Sequence, residues 1–351
     1  MVYNINGEEM NNIYDYTHEM LTNYILNLGE KKYRANQIFD WLYKKRVKSF
    51  DEMSNLSDSL IESLKKDFYF NTLKVVVESK SEDGTVKYLY ALEDGHLIES
   101  VVMSHSYGYS ICVTSQVGCN MGCRFCASGL LKKKRNLTSG EMLSQVIQTE
   151  ERFNKRISHI VVMGIGEPFD NYTHLMNFLK NANDHKGLEI GARHITVSTC
   201  GIADKIKTYA DEKLQINLAI SLHAPNNKIR NELMPINKKY PIETVIDAIK
   251  YYMTKTNRRI TIEYIMIKDL NDQVEHAYEL ATLLKGLNVY VNLIPYNEVV
   301  EAPYKRSNKE NMDAFLRTLK EQKINATLRK EQGHDINAAC GQLRSQTMKG
   351  Q

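Results

Sequence analysis

From residue 17 to residue 68, apolar positions recur at steps of three and four. Leu21, Ile25 and Leu28 form one such face ahead of Gly29, Ile38, Trp41 and Leu42 a second, and Leu56, Leu60, Ile61 and Leu64 a third. That period predicts amphipathic helices, the first ending at the glycine. The pattern then turns extended. Residues 73–79 and 85–92 flank Asp83-Gly84, a hairpin turn signal, and Asp94-Gly95 leads into a strand over 96–103. A further strand over 109–115 carries Cys112.

Beyond it strands and helices alternate. Thr138-x-x-Glu141 is a capping-box pattern opening a helix through Phe153. Strands are expected over 159–164, 194–200, 216–222, 259–267, 289–295 and 326–329. Helices are expected near 172–183, shortly after 200, and over 242–256, 273–287 and 308–320. About six β/α units predict an α/β fold, a parallel and partly closed (β/α)6 barrel, with β extensions and a small N-terminal helical domain. The expected boundaries are a helical accessory domain over 1–70, a β-hairpin extension over 71–108, and the barrel with a C-terminal loop over 109–351.

Composition adds limits more than direction. The chain has 351 residues, 42% hydrophobic and 25% charged, which is ordinary for a globular protein. Six cysteines in that length do not make a disulfide scaffold. No run of 18 apolar residues exists, and residues 1–9 lack a basic start followed by an apolar stretch, so neither a membrane span nor a signal peptide is expected. A reducing cytoplasm is the expected location. The net charge of +4 permits nucleic-acid binding without demonstrating it. Basic clusters occur at Lys44–Arg46, Lys132–Arg135, Arg258-Arg259 and Arg329-Lys330, and charge runs of this kind usually face water. Two N-terminal segments, Lys31–Arg34 and Lys44–Arg46, are candidates to lie along RNA.

The chemistry concentrates at Cys119, Cys123 and Cys126, spaced C-x3-C-x2-C just after a strand. Thiolates are soft ligands for zinc and for iron–sulfur clusters. Structural zinc wants four protein ligands, and His105 is the nearest upstream histidine, so a closed zinc site needs a distant partner. Three thiolates suit a cubane cluster with one iron left open. Cys119, Glu167, Ser198, Ser221 and Asn297 all fall at or just past predicted strand ends, where β/α barrels gather reactive groups. Gly164-Ile-Gly166-Glu167-Pro168 lets backbone approach a ligand closely. Ser198, Ser221 and His223 bring hydroxyls and an imidazole to the barrel mouth. Cys340 lies far from the trio in Ala339-Cys-Gly-Gln-Leu343, a segment that reads as a loop. An inert buried thiol is the ordinary alternative for it.

Taken together, Cys112-Val-Thr-Ser-Gln-Val-Gly-Cys119, Cys123-Arg-Phe-Cys126, Gly166-Glu-Pro168, Ser221-Leu-His-Ala-Pro225, Leu233-Met-Pro-Ile-Asn237 and Ala339-Cys-Gly-Gln-Leu343 resemble the radical S-adenosylmethionine (SAM) RNA adenine methyltransferases, the RlmN/Cfr family. The resemblance extends over nearly the whole chain. It implies a [4Fe-4S] cluster on Cys119, Cys123 and Cys126, and SAM held by Gly166, Glu167, Ser198, Ser221, Leu222, His223 and Asn297. It further implies two SAM molecules per turnover, an electron donor such as flavodoxin, 23S rRNA and tRNA as substrates, no membrane partner and a monomer. In the implied mechanism Cys340 accepts a methyl group, the activated methyl adds to an adenine carbon, and Cys112 releases the product by forming a transient disulfide with Cys340. Glu99 matches the carboxylate that removes the ring proton. Pro168, Val117 and Arg329–Asp335 look more like the branch that methylates C2 than the one that methylates C8. A non-catalytic, metal-containing RNA-binding module would explain the trio and the basic clusters, but not Cys112 and Cys340.

Overall fold

The structure is a computed structural model and describes residues 2, 3, 7 and 9–343. Its centre is one ten-stranded sheet. The strands are β1 (Lys74–Lys80), β2 (Val86–Ala91), β3 (Leu97–His105), β4 (Gly108–Cys112), β5 (Ile157–Val162), β6 (Ile195–Thr199), β7 (Asn217–Ser221), β8 (Ile260–Met266), β9 (Val289–Pro295) and β10 (Ala326–Leu328). They lie side by side in chain order. From β4 to β10 every neighbouring pair is parallel, and β1 to β4 pair antiparallel. The parallel part is the expected partial barrel, and the extension continues the same sheet through β3. Cys112 sits at the junction, opposite Val101 of β3 on one side and Val161 of β5 on the other.

Helices α4 (Ser139–Phe153), α5 (Tyr172–Asn183), α6 (Ala203–Asp211), α7 (Asn227–Leu233), α8 (Ile242–Thr256), α9 (Val274–Leu284) and α10 (Lys309–Glu321) follow α1 (His18–Asn27), α2 (Tyr33–Phe39) and α3 (Asp58–Asp67). Thr138 caps α4 by accepting from the Glu141 N–H, and the Glu141 carboxylate reaches back, so the capping box forms as expected. The outer face of the barrel sheet buries Ile160, Val197, Leu218, Ile220, Ile262 and Val291 against these helices.

The N-terminal part is not wholly helical. Three short strands, Val2–Tyr3, Glu9–Asn12 and Phe68–Tyr69, form a small sheet beside α1–α3. Leu28 stands at the cap of α1 and is exposed, so only Leu21 and Ile25 of that face enter the core. This part docks on α4. The Asp15 carboxylate accepts from Gly140 N–H (2.6 Å) and Ser139 Oγ (2.9 Å), placing negative charge at the helix N-terminus. Arg46 pairs with Glu150 at 2.7 Å, so it ties the two parts together instead of facing solvent. α7 had no apolar periodicity to announce it: Asn-Lys-Ile-Arg-Asn-Glu-Leu is mostly polar, yet its Arg230 is fully buried.

Candidate active site

β4 ends at Cys112, earlier than the strand expected over 109–115, although Val113 N–H and Ser115 N–H still donate to Val161 O and Ile165 O, each at 2.9 Å, as the chain leads into the next turn. Gln145 of α4 holds this turn, donating to Thr114 O and accepting from Thr114 N–H, each at 2.9 Å. The loop that follows carries the three cysteines. Gly118 has φ +76°, and a Cβ there would lie 2.3 Å from the Lys132 carbonyl oxygen, so only glycine fits. The Cys119 N–H donates to Leu131 O at 2.8 Å, and Arg124 N–H to Leu233 O at 3.0 Å, which fixes the loop at both flanks.

Cys119, Cys123 and Cys126 line one cavity of about 910 Å³. Burial, helped by repulsion from the other cysteines of the trio, pushes the Cys119 thiol up to about 12 and Cys123 well above its ordinary value; burial, helped by Cys340, raises Cys126 as well. A bare thiolate is therefore disfavoured here, and a bound soft cation is what would stabilise it. Among the described residues, no three His, Cys, Asp or Glu side chains converge on a single metal ion. A cubane makes no such demand, since its thiolates bind separate irons. The donor set thus fits a [4Fe-4S] cluster with one corner free of protein.

The same cavity is lined by Gly166, Glu167, Ser198, Ser221 and His223. Glu167 is buried and already engaged: Oε1 accepts from Phe169 N–H (2.9 Å) and Oε2 from Cys200 N–H (2.7 Å). Its carboxylate braces the β5–β6 edge of the mouth. Ser198 and Ser221 hydroxyls lie 3.3 Å apart. His223 takes a left-handed φ of +59°, and its Nδ1 accepts from Ile265 N–H at 3.1 Å. Burial, with Arg230 nearby, drops its pKa to about 3, so the ring is neutral and Nε2 carries the proton.

Two of the residues expected to contact SAM, Leu222 and Asn297, do not line this cavity. Leu222 is fully buried in the core behind β7, because strand alternation turns it away from the face that Ser221 occupies. Asn297 lies past the end of β9, where its Nδ2 donates to the Cys340 carbonyl at 3.3 Å, and its Oδ1 is buried without a partner. It lines a second cavity, of about 580 Å³, together with Cys112, Arg329 and Cys340.

Cys340 borders both cavities. Its loop is pinned to the cysteine-trio loop by Ala127 N–H to Gly341 O (2.8 Å) and Ser128 Oγ to Leu343 O (3.0 Å). Arg329 Nη1 donates to the Cys340 Sγ at 3.4 Å, which places a cation beside the sulfur. Cys112 is buried in apolar surroundings, and burial together with Cys340 raises its thiol to about 12, while Arg329 opposes. Glu99 projects from β3 on the face that holds Val101, Met103 and Cys112. Only 1% of its side chain is exposed; burial raises its pKa to about 7, with Lys87, 3.5 Å away, acting in the opposite direction.

Sequence reasoning missed three groups here. Glu263, buried and raised by burial, accepts from Asn292 and faces the larger cavity. Arg230 holds Cys200 O, Leu222 O, Asn237 Oδ1 and Tyr240 O, tying β6 and β7 to the residues after α7. Arg329, which the sequence places in a water-facing basic pair and in the stretch resembling the C2 branch, lies instead beside the Cys340 sulfur. For Arg230 and Arg329 the available signal was their place within or beside the quoted motifs; Glu263 had none.

Residues 11–69 match the model of the ribosomal RNA large subunit methyltransferase N-terminal domain, and residues 113–281 match the radical SAM superfamily. The chain is 60% identical to a "probable dual-specificity RNA methyltransferase RlmN" of Acholeplasma laidlawii, over 96% of this chain and 99% of that relative. This chain belongs to the RlmN family of radical-SAM methyltransferases. A second RlmN relative, from Enterococcus faecalis, is 56% identical over 96% of this chain and 97% of its own length. Among solved structures, a radical SAM methyltransferase from Sphaerobacter thermophilus superposes with a TM-score of 0.89 at 41% identity, covering 96% of this chain and 99% of that one. Membership in this family implies a [4Fe-4S] cluster and SAM, in agreement with the donor set at the barrel mouth.

Proposed function

We propose that this chain methylates C2 of adenine in 23S rRNA and in tRNA, with Cys340 as the methyl carrier and Cys112 as the thiol that releases the product. One observation carries the reading: Cys340 is the wall shared by the cavity of the cysteine trio and the cavity of Cys112. The relatives' name, dual-specificity RNA methyltransferase, supports two kinds of RNA substrate, and the match of residues 11–69 to a ribosomal RNA large subunit methyltransferase domain supports rRNA as one of them.

Cys119, Cys123 and Cys126 would hold the cluster, and Gly166, Ser198, Ser221 and the His223 Nε2–H line the space that SAM would occupy, with Glu167 bracing the loop. When bound, the cluster and two SAM molecules per turnover would supply the methyl group and the radical chemistry that activates it. Cys340 is the methyl acceptor, its sulfur lying beside the Arg329 guanidinium and on the wall between the two cavities. Glu99 takes the adenine ring proton; a carboxylate with a pKa near 7 is half ionised at neutral pH and is therefore suited to that step. Cys112 then attacks the Cys340 sulfur, freeing methylated RNA and leaving a disulfide that a reducing cytoplasm reopens. An adenine within folded RNA reaches this depth as a flipped-out base. A flavodoxin-type protein supplies the electron, and the chain works as a monomer. Among the described residues no helix is long and apolar enough to cross a membrane.

The test is mass spectrometry of nucleosides from 23S rRNA and tRNA treated with the reconstituted enzyme. 2-Methyladenosine is the expected product. 8-Methyladenosine alone, or no methylated adenine, refutes the assignment.

A further inference from the structure

Between β10 and Cys340 the chain has little structure of its own, only a short 3-10 turn at His334–Ile336. Besides its ties to the cysteine-trio loop, it is positioned by contacts with the β1–β2 hairpin, some 250 residues earlier in the chain. Ser81 Oγ donates to Asp335 Oδ1 (2.6 Å), Glu82 N–H to Asp335 Oδ2 (3.3 Å), and Gly333 N–H to Asp83 Oδ2 (2.8 Å). Gly333 has φ +65°, and a Cβ there would come within 2.9 Å of Thr85 and 2.8 Å of Ala338, so the two segments are in close contact.

Lys87 joins this contact to the site. It stands opposite Val101 in the β2–β3 pairing, one diagonal step from Glu99 on the same face. Its side chain is 13% exposed; Nζ donates to Asn337 O at 3.2 Å and lies 3.5 Å from Glu99 Oε1. Glu99 Oε2 is buried without a partner. Around Glu99, β2 presents Lys87, β4 presents Cys112, and the segment after β4 presents the Thr114 hydroxyl, which donates to the Glu99 carbonyl. The returning chain presents Ala338 and Leu343 to this face, and its Arg329, Lys330, Glu331 and Cys340 line the cavity that Val101, Met103 and Cys112 border.

We propose that Lys87 is a positioning residue that seats the Glu99 carboxylate and the Cys340 loop together, as the inner tie of a clasp whose outer ties are Asp83 and Asp335. This rests on the roles given above to Cys340 and Glu99, and it gives the β extension a task in the reaction. Lys87 touches no reacting atom. Its ammonium has donors for both partners at once, so the base and the methyl carrier are held from one point. Removing one member of a buried charge pair leaves the other unpaired, and a misplaced group near the chemistry costs rate even where binding is intact.

The experiment uses cluster-loaded enzyme with Lys87→Met, Lys87→Arg and Asp335→Asn. Amide hydrogen exchange of residues 333–343 is read without RNA, and single-turnover methylation is read against pH. For Lys87→Met, loop exchange is expected to accelerate about tenfold. Its kcat is expected to fall about a hundredfold with the KM for RNA unchanged, and its pH midpoint to move upward, because the cation favouring the carboxylate is gone. Lys87→Arg restores loop protection. Asp335→Asn loosens the loop while leaving the midpoint in place. Unchanged exchange and midpoint in Lys87→Met overturn the proposal. If that variant does not fold, unchanged loop exchange in Asp335→Asn overturns the clasp. Failure of the broader functional reading would look different: Cys340→Ala or Glu99→Gln would remain active whatever the exchange data showed.

Discussion

Replacing Glu99 by Gln separates what this residue does for the reaction from what it does to stability. Burial raises the carboxyl from an ordinary 4.5 to about 7, even with Lys87 pulling it down. That shift corresponds to roughly 3 kcal/mol between the protonated and ionised forms. Between these two values the folded chain holds a proton that the unfolded chain has released. Stability therefore falls as pH rises through that window; the contribution is intact below pH 4.5 and gone above pH 7. Glu99→Gln cannot ionise, so it lacks this slope. Its stability relative to the parent should rise by about 2.5 kcal/mol between pH 5 and pH 8, read from denaturant midpoints of both proteins under anaerobic conditions. A fixed offset from the unpaired Lys87 cancels in this comparison. In the parent the single-turnover methylation rate should climb through pH 7 as the base ionises, and the variant should lose the step that removes the ring proton. Parallel stability curves for the two proteins, or a parent rate already flat above pH 5, would refute the reasoning.

Three further outcomes follow from the site. Cys112→Ala should accumulate a covalent protein–RNA adduct, seen as RNA retained on the protein in a denaturing gel; absence of the adduct counts against the resolving role. Gly118→Ala should lose most of its iron on anaerobic reconstitution, since its Cβ would strike the Lys132 carbonyl at 2.3 Å in a left-handed backbone; a full iron and sulfide content would contradict that. Arg329→Met should slow methylation of Cys340 by about ten- to a hundredfold, the worth of one hydrogen bond from a charged donor. The mass of the Cys340 peptide over time reads this directly, and an unchanged rate removes Arg329 from the chemistry.

Most of the alternation of strands and helices from Cys112 onward was legible because these elements, α7 excepted, announce themselves locally. The capping box at Thr138 and Glu141, the apolar period over 242–256 and the strand over 289–295 each need only neighbours in sequence. The trio at Cys119, Cys123 and Cys126 was legible for the same reason. Spacing along the chain also put Ser198 and Ser221 at strand ends, and they do border the cavity. Which way a residue turns is a separate matter. Leu222 follows Ser221 directly, so the alternation that brings Ser221 to the mouth sends Leu222 into the core. Asn297 lies beyond its strand, where alternation no longer holds, and its partner is a carbonyl 43 residues away.

Charged residues were the least legible. An arginine in a basic pair reads as solvated unless something distant buries it. Arg329 is half-buried, with the Cys340 sulfur accepting from it. Lys87 resembles any exposed strand lysine until sheet pairing puts it beside Glu99 and the returning chain supplies Asn337 O. Both cases have one cause. The groups that hold Cys340 come from β1–β3, from the cysteine loop and from the residues after β9 and β10, and they meet only once the sheet has curled. A reacting atom can be picked out from local spacing, because its chemistry fixes the residue type. The side chains that orient it are chosen by geometry that exists only in the closed fold, so identical letters elsewhere in the chain, such as Lys44 or Arg152, carry no such role.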